Sequence, residues 1–229
     1  MKKLIVNGDD FGASPGINRG IMEAHQRGIL TSTSLLVESP LSEEAAALSR
    51  TAPEMSVGLH VHVRDTHIQS STACGRSLCE ELHKQFSRFQ ELMGRAPTHI
   101  DSHHNMHRDR EALPEFLKFA EHYELPLREH SPVRYFSKFY GQWGGQTHLD
   151  QVSVASLARM LGTEIGEGIT ELSCHPGYED ADYTSGYSVE REMEVRTLCD
   201  PVIRETLAAN GIQLASYHDL NPSRAVACA

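Results

Sequence analysis

Two adjacent carboxylates, Asp9-Asp10, open the string Asp9-Asp10-Phe11-Gly12, directly behind the apolar run Leu4-Ile5-Val6 and ahead of a turn marked by glycine and proline. Paired acids at a strand end suit chemistry, because one carboxylate can hold a cation while its neighbour handles a proton. Adjacent side chains leaving a strand point in different directions, so the two are expected to divide those tasks. Imidazoles recur in the same kind of place. His60 ends the run Ser56-Val57-Gly58-Leu59, and Asp101-Ser102-His103-His104-Asn105-Met106-His107 follows Pro97-Thr98-His99-Ile100. A carboxylate with two imidazoles is a mixed oxygen and nitrogen donor set that leaves positions for water and substrate, a catalytic rather than a structural arrangement. His175, between the run Leu172-Ser173-Cys174 and Pro176-Gly177, is held at a sharp turn, the placement a proton donor needs.

Other readings of these residues stay open. Asp9-Asp10 also suits a helix cap or an acidic turn, and Asp10-Phe11-Gly12 matches a kinase string without the glycine-rich loop that should precede it. His60 and His62 lie two apart and would share a strand face, which would suit a metal-dependent phosphoesterase or amidohydrolase using them as a pair. His103 and His107 share a face only if the chain turns helical after Ser102. His67, His83, His122 and His148 read as solvated polar residues.

The elements that must position these groups alternate along the chain. Strands are expected near residues 4–7, 34–38, 56–63, 99–102, 126–128, 170–174 and 213–216. Helices are expected between them: from Ser14-Pro15 to Arg27 before Gly28, from Ser42-Glu43-Glu44, over Leu78–Met93 before Gly94, over 110–123, and from Asp200-Pro201 to Asn210-Gly211. Repeated strand and helix segments predict an α/β fold with a mostly parallel sheet, a closed or nearly closed βα barrel first and a doubly wound open sheet second. Residues 131–151, aromatic and glycine-rich, break the pattern and are expected to form a loop, over the site or packed outside the barrel.

Residues 1–229 are expected to form a single domain, a size that α/β barrels reach. The net charge of −10 offers no basic stripe for nucleic acid or for an anionic membrane surface. No apolar run approaches the roughly 20 residues of a membrane span, and Met1-Lys2-Lys3 runs straight into a strand, so the expected compartment is the cytoplasm. Five cysteines without zinc-ribbon spacing read as reduced thiols.

The ordered motifs Ile5-Val6-Asn7-Gly8-Asp9-Asp10-Phe11-Gly12, Gly28-Ile29-Leu30-Thr31-Ser32-Thr33-Ser34, Gly58-Leu59-His60, Pro97-Thr98-His99-Ile100-Asp101-Ser102-His103-His104, Cys174-His175-Pro176-Gly177 and Ser216-Tyr217-His218-Asp219 span nearly the whole chain. In that order they resemble the YdjC-like carbohydrate deacetylases, whose best-known members remove acetyl groups from chitooligosaccharides. The resemblance implies a distorted, seven-stranded βα barrel of the glycoside hydrolase/deacetylase type. It implies one divalent cation, Mg2+ or Zn2+ first, held by Asp10, His60 and His103, with Asp9 as general base and His175, as imidazolium, as proton donor. The implied partner is a small acetylated sugar and the implied reaction is hydrolysis of its N-acetyl group to acetate; a homodimer is left open. Three departures from the family pattern stand out: Asn105 replaces a third histidine, the segment after His60 is short, and His62 stands where an apolar or small residue is usual.

Overall fold

The computed structural model describes residues 1–63, 77–180, 183 and 185–220. Its centre is the ten-residue strand β1 (Lys2–Phe11), buried from Leu4 onward. Strands β2 (Ser32–Leu35), β3 (Ser56–Val61) and β4 (Ile100–Ser102) follow outward on one side, and β8 (Gly168–Cys174) and β5 (Arg134–Phe136) on the other. Every pairing among them is parallel. The edge of β1 opposite β8 is shared: β9 (Ile212–Leu214) pairs with its start and β2 with its end. A short antiparallel hairpin, β6 (Gln142–Trp143) and β7 (Gln146–Thr147), stands apart.

Parallel pairing requires crossovers, and helices supply them: α1 (Pro15–Gln26), α2 (Ser42–Ser49), α3 (Leu78–Met93), α4 (Leu113–His122), α5 (Val154–Glu164), α6 (Val189–Leu198) and α7 (Pro201–Ala209). Local chemistry sets their ends. The Ser14 side chain accepts from the Ile17 N–H with proline following it in α1, Ser77 and Glu80 form a reciprocal capping box on α3, and Gly94 closes α3 at φ 68°. The seven strands curl into a distorted, incomplete barrel. Arg128 lies beside β4, yet its guanidinium reaches Asp9 on β1 and Glu171 on β8, which a flat sheet would hold far away. The barrel expectation therefore stands over the open sheet.

Two strand expectations change. Residues 126–128 form a single bridge, Leu127 to Ile100, rather than a strand. Pro126 has no N–H to offer, and positive φ at Glu124 (53°) and Glu129 (65°) turns the chain away on both sides. The seventh strand is instead β5, within the 131–151 segment read as a loop, which also contains the β6–β7 hairpin turned by Gly144 and Gly145.

Candidate active site

Asp9 and Asp10 close β1 at a register irregularity in its pairing with β2, between Gly8 and Phe11. Asp10 sits at φ 71°, a backbone conformation that side-chain-bearing residues seldom adopt. This irregularity breaks the alternation of an ordinary strand. Both carboxylates line one cavity of about 520 Å³ at the strand ends, so the expected divergence of neighbouring side chains is replaced by convergence with different partners.

Asp10 Oδ1 accepts from His103 Nδ1 at 2.9 Å and lies 3.4 Å from His60 Nε2, while Oδ2 accepts from Arg191 Nη2 at 2.5 Å. Donor atoms of Asp10, His60 and His103 all lie within 4.8 Å of one another. The residues fit a cation: one oxygen and two nitrogens converge at a cavity wall, with Arg191 occupying the carboxylate oxygen not needed. His60 donates through Nδ1 to Asp101 Oδ1 at 2.7 Å, which directs its Nε2 to the cavity. Burial would lower the pKa of His60, but Asp101 and Asp10 outweigh it and raise it to about 10, so a cation there competes with a proton. Burial likewise opposes the charge on Asp10, and Arg191 with the two imidazoles holds its carboxyl well below the usual range. A second convergent group, Asp9, His60 and Asp101, is buried, and Arg128 already donates to Asp9 and is ion-paired with Asp101.

Asp9 is gripped by the Arg128 fork, Nη1 to Oδ2 and Nη2 to Oδ1, both at 2.8 Å, and also accepts from Asn7 Nδ2 at 2.8 Å. Arg128 outweighs the effect of burial and keeps its pKa low. His175 Nε2 faces Asp9 Oδ2 at 3.9 Å across the cavity. Burial pushes this imidazole down to about 4 against the pull of Asp9, so it is neutral at pH 7 rather than the imidazolium expected. Its backbone N–H donates to the buried Glu194, whose other oxygen accepts from the Tyr187 hydroxyl at 2.5 Å. Tyr187 stacks on Tyr140, and both rings stand edge-on to His175.

The five residues singled out in the sequence thus meet at one cavity. His107 does not join them. After Ser102 the chain forms a 3-10 helix, His103–Arg108, broken by positive φ at His104 and Asn105. His107 is therefore turned inward, with Nδ1 2.7 Å from Ser102 Oγ. His62, past the end of β3, is exposed and belongs to neither of the donor groups found among the described residues. The 131–151 segment borders the cavity through Tyr135, Ser137, Tyr140 and Gln142. Sequence reasoning missed Arg128, Arg191 and Glu194. A lone cation beside Pro126-Leu127 was a signal for Arg128, whereas the other two lie on α6, which had none.

The YdjC-like protein family matches residues 3–209. The chain belongs to that family. Among YdjC-like relatives, a carbohydrate deacetylase of Geobacillus stearothermophilus is 34% identical over 258 aligned positions, covering 94% of this chain and 96% of the relative. A chitooligosaccharide deacetylase of Serratia marcescens is also 34% identical, covering 96% and 99%. Its alignment spans 255 positions against 229 residues here, so the relatives carry segments that this chain lacks. A solved Enterococcus faecalis V583 protein, described as a candidate for cellobiose-phosphate cleavage, superposes with a TM-score of 0.79 at 29% identity, covering 96% of this chain and 98% of that one.

Proposed function

We propose that residues 1–229 act as one metal-dependent deacetylase domain that hydrolyses the N-acetyl group of an amino sugar or chitooligosaccharide in the cytoplasm. The observation carrying this reading is the convergence of Asp10, His60 and His103 beside Asp9 and His175 in a cavity walled by tyrosines, in a chain whose relatives are carbohydrate deacetylases. A divalent cation, Mg2+ or Zn2+, held by Asp10, His60 and His103 would polarise the acyl carbonyl and lower the pKa of a water. Asp9, oriented by Arg128 and Asn7, takes the proton of that water at Oδ2. His175 Nε2, 3.9 Å away, receives the proton and delivers it to the leaving nitrogen, so the ring need not start charged. Acetate and the free amine leave. Tyr135, Tyr140 and Gln142 border the space for the sugar.

Substitution separates the roles. Asp10→Asn and His60→Ala are expected to lose bound metal and turnover together, measured by metal content and acetate release. Asp9→Asn is expected to keep metal and lose turnover by at least about a hundredfold. Full activity in Asp9→Asn removes that residue from the mechanism.

A further inference from the structure

A second cavity, of about 650 Å³, adjoins the first and shares His103 and Tyr183 with it. It lies over the ends of β1, β2 and β3. Its apolar wall comes from the turn after β1, Ala13 and Pro15, and from the turn after β2, Leu36, Val37, Pro40 and Leu41. Neither Asp9 nor His175 lines it, whereas both line the first cavity.

That asymmetry fixes how an amide lies across the site, given the deacetylase reading on which this inference rests. The leaving nitrogen must face His175, so the sugar that carries it occupies the first cavity, among tyrosines and polar groups. The carbonyl carbon then points its remaining substituent past His103, into the apolar cavity. An acetyl group would place one methyl there, about the size of a water molecule at roughly 30 Å³. The space available is far larger and falls in the range of ligand pockets, roughly 300–1,000 Å³.

We propose that this second cavity is an acyl pocket, and that the enzyme removes N-acyl groups longer than acetyl from amino sugars. The water oxygen bonds to the acyl carbon, the C–N bond breaks, the nitrogen takes the proton, and a short fatty acid leaves as its carboxylate.

The test is kcat/KM of the metal-loaded full chain on N-acetyl, N-butyryl and N-hexanoyl glucosamine, and on the same acyl series of chitobiose, read as free amine released. The pocket predicts a rise of up to about fourfold for each methylene added. Leu41→Asp and, at the exposed rim, Pro40→Asp should each lower the hexanoyl-to-acetyl ratio at least tenfold. Rates that are flat or fall with chain length overturn the pocket and leave the deacetylase reading in place. An unchanged ratio in both variants overturns it as well. Absence of free amine from every probe overturns the hydrolytic reading and the pocket with it.

Discussion

Arg128 carries more of the site than any ligand does. Its guanidinium, almost wholly buried, donates to Asp9 and Glu171, forms an ion pair with Asp101, and lies 5.1 Å from the centre of the Tyr135 ring. One planar fork thereby sets the orientation of Asp9 and, through Asp101, of His60. Replacing it leaves three buried carboxylates short of a partner, a change that costs more than leaving a pair unmade at the surface. Arg128→Met is expected to lower unfolding free energy by more than about 3 kcal/mol in urea titrations. Arg128→Lys should recover part of that stability without recovering turnover, because an ammonium cannot reproduce the bidentate grip on Asp9. Loss of less than about 1 kcal/mol in Arg128→Met would contradict this account of the site.

At the scale of elements, the placement of His175 depends on how closely α1 approaches the turn behind it. Tyr178 N donates to Gly16 O at 3.1 Å, and a Cβ added at Gly20 would stand 2.5 Å from Gly177 Cα. The two glycines, four apart, form the face on which the Pro176-Gly177 turn rests. Gly20→Ala must push that turn, and His175 with it, out of position. We expect kcat to fall about tenfold or more with metal content unchanged, since displacements near 1 Å can cost that much; wild-type turnover would detach the turn from catalysis. Helix α1 was legible because Ser14-Pro15 and Gly28 punctuate it. Helix α6 was not, because it has no regular apolar stripe and buries Glu190, Arg191 and Glu194 alongside Val195 and Leu198. Strand β5, three residues of Arg-Tyr-Phe, has no periodicity to read and exists by pairing with β8. The donor residues were legible because each follows an apolar strand. Their supporting network was not, because Arg128 meets Asp9 only once the sheet has curled across 119 residues of chain.

For the whole molecule, buried neutral imidazoles tie stability to pH. Burial pushes His99 down to about 3 and His107 down to about 4, against an ordinary value of 6.5. Below pH 6.5 the unfolded chain takes up protons that these folded rings refuse, so their contribution to stability is full above that value and is lost as pH drops toward 4 and then 3; His60, raised to about 10, acts in the opposite sense, its contribution full below pH 6.5 and lost as pH rises. Asp9, Asp10 and Asp101, all held low, extend the loss below their ordinary value of 3.8. Urea midpoints are expected to fall from pH 6 to 4.5 and to fall less in His99→Gln; a midpoint constant over that range would contradict the burial of both rings as neutral groups. No helix among the described residues is long and apolar enough to cross a membrane. The most direct test of the central claim is acetate release from N-acetylated chitooligosaccharides by the purified protein, stripped of metal and resupplied with Mg2+ or Zn2+. Acetate that disappears on stripping and returns with one of the cations is the predicted result. Equal acetate release with and without metal would contradict the assignment of Asp10, His60 and His103, and no acetate under any condition would contradict the deacetylase reading itself.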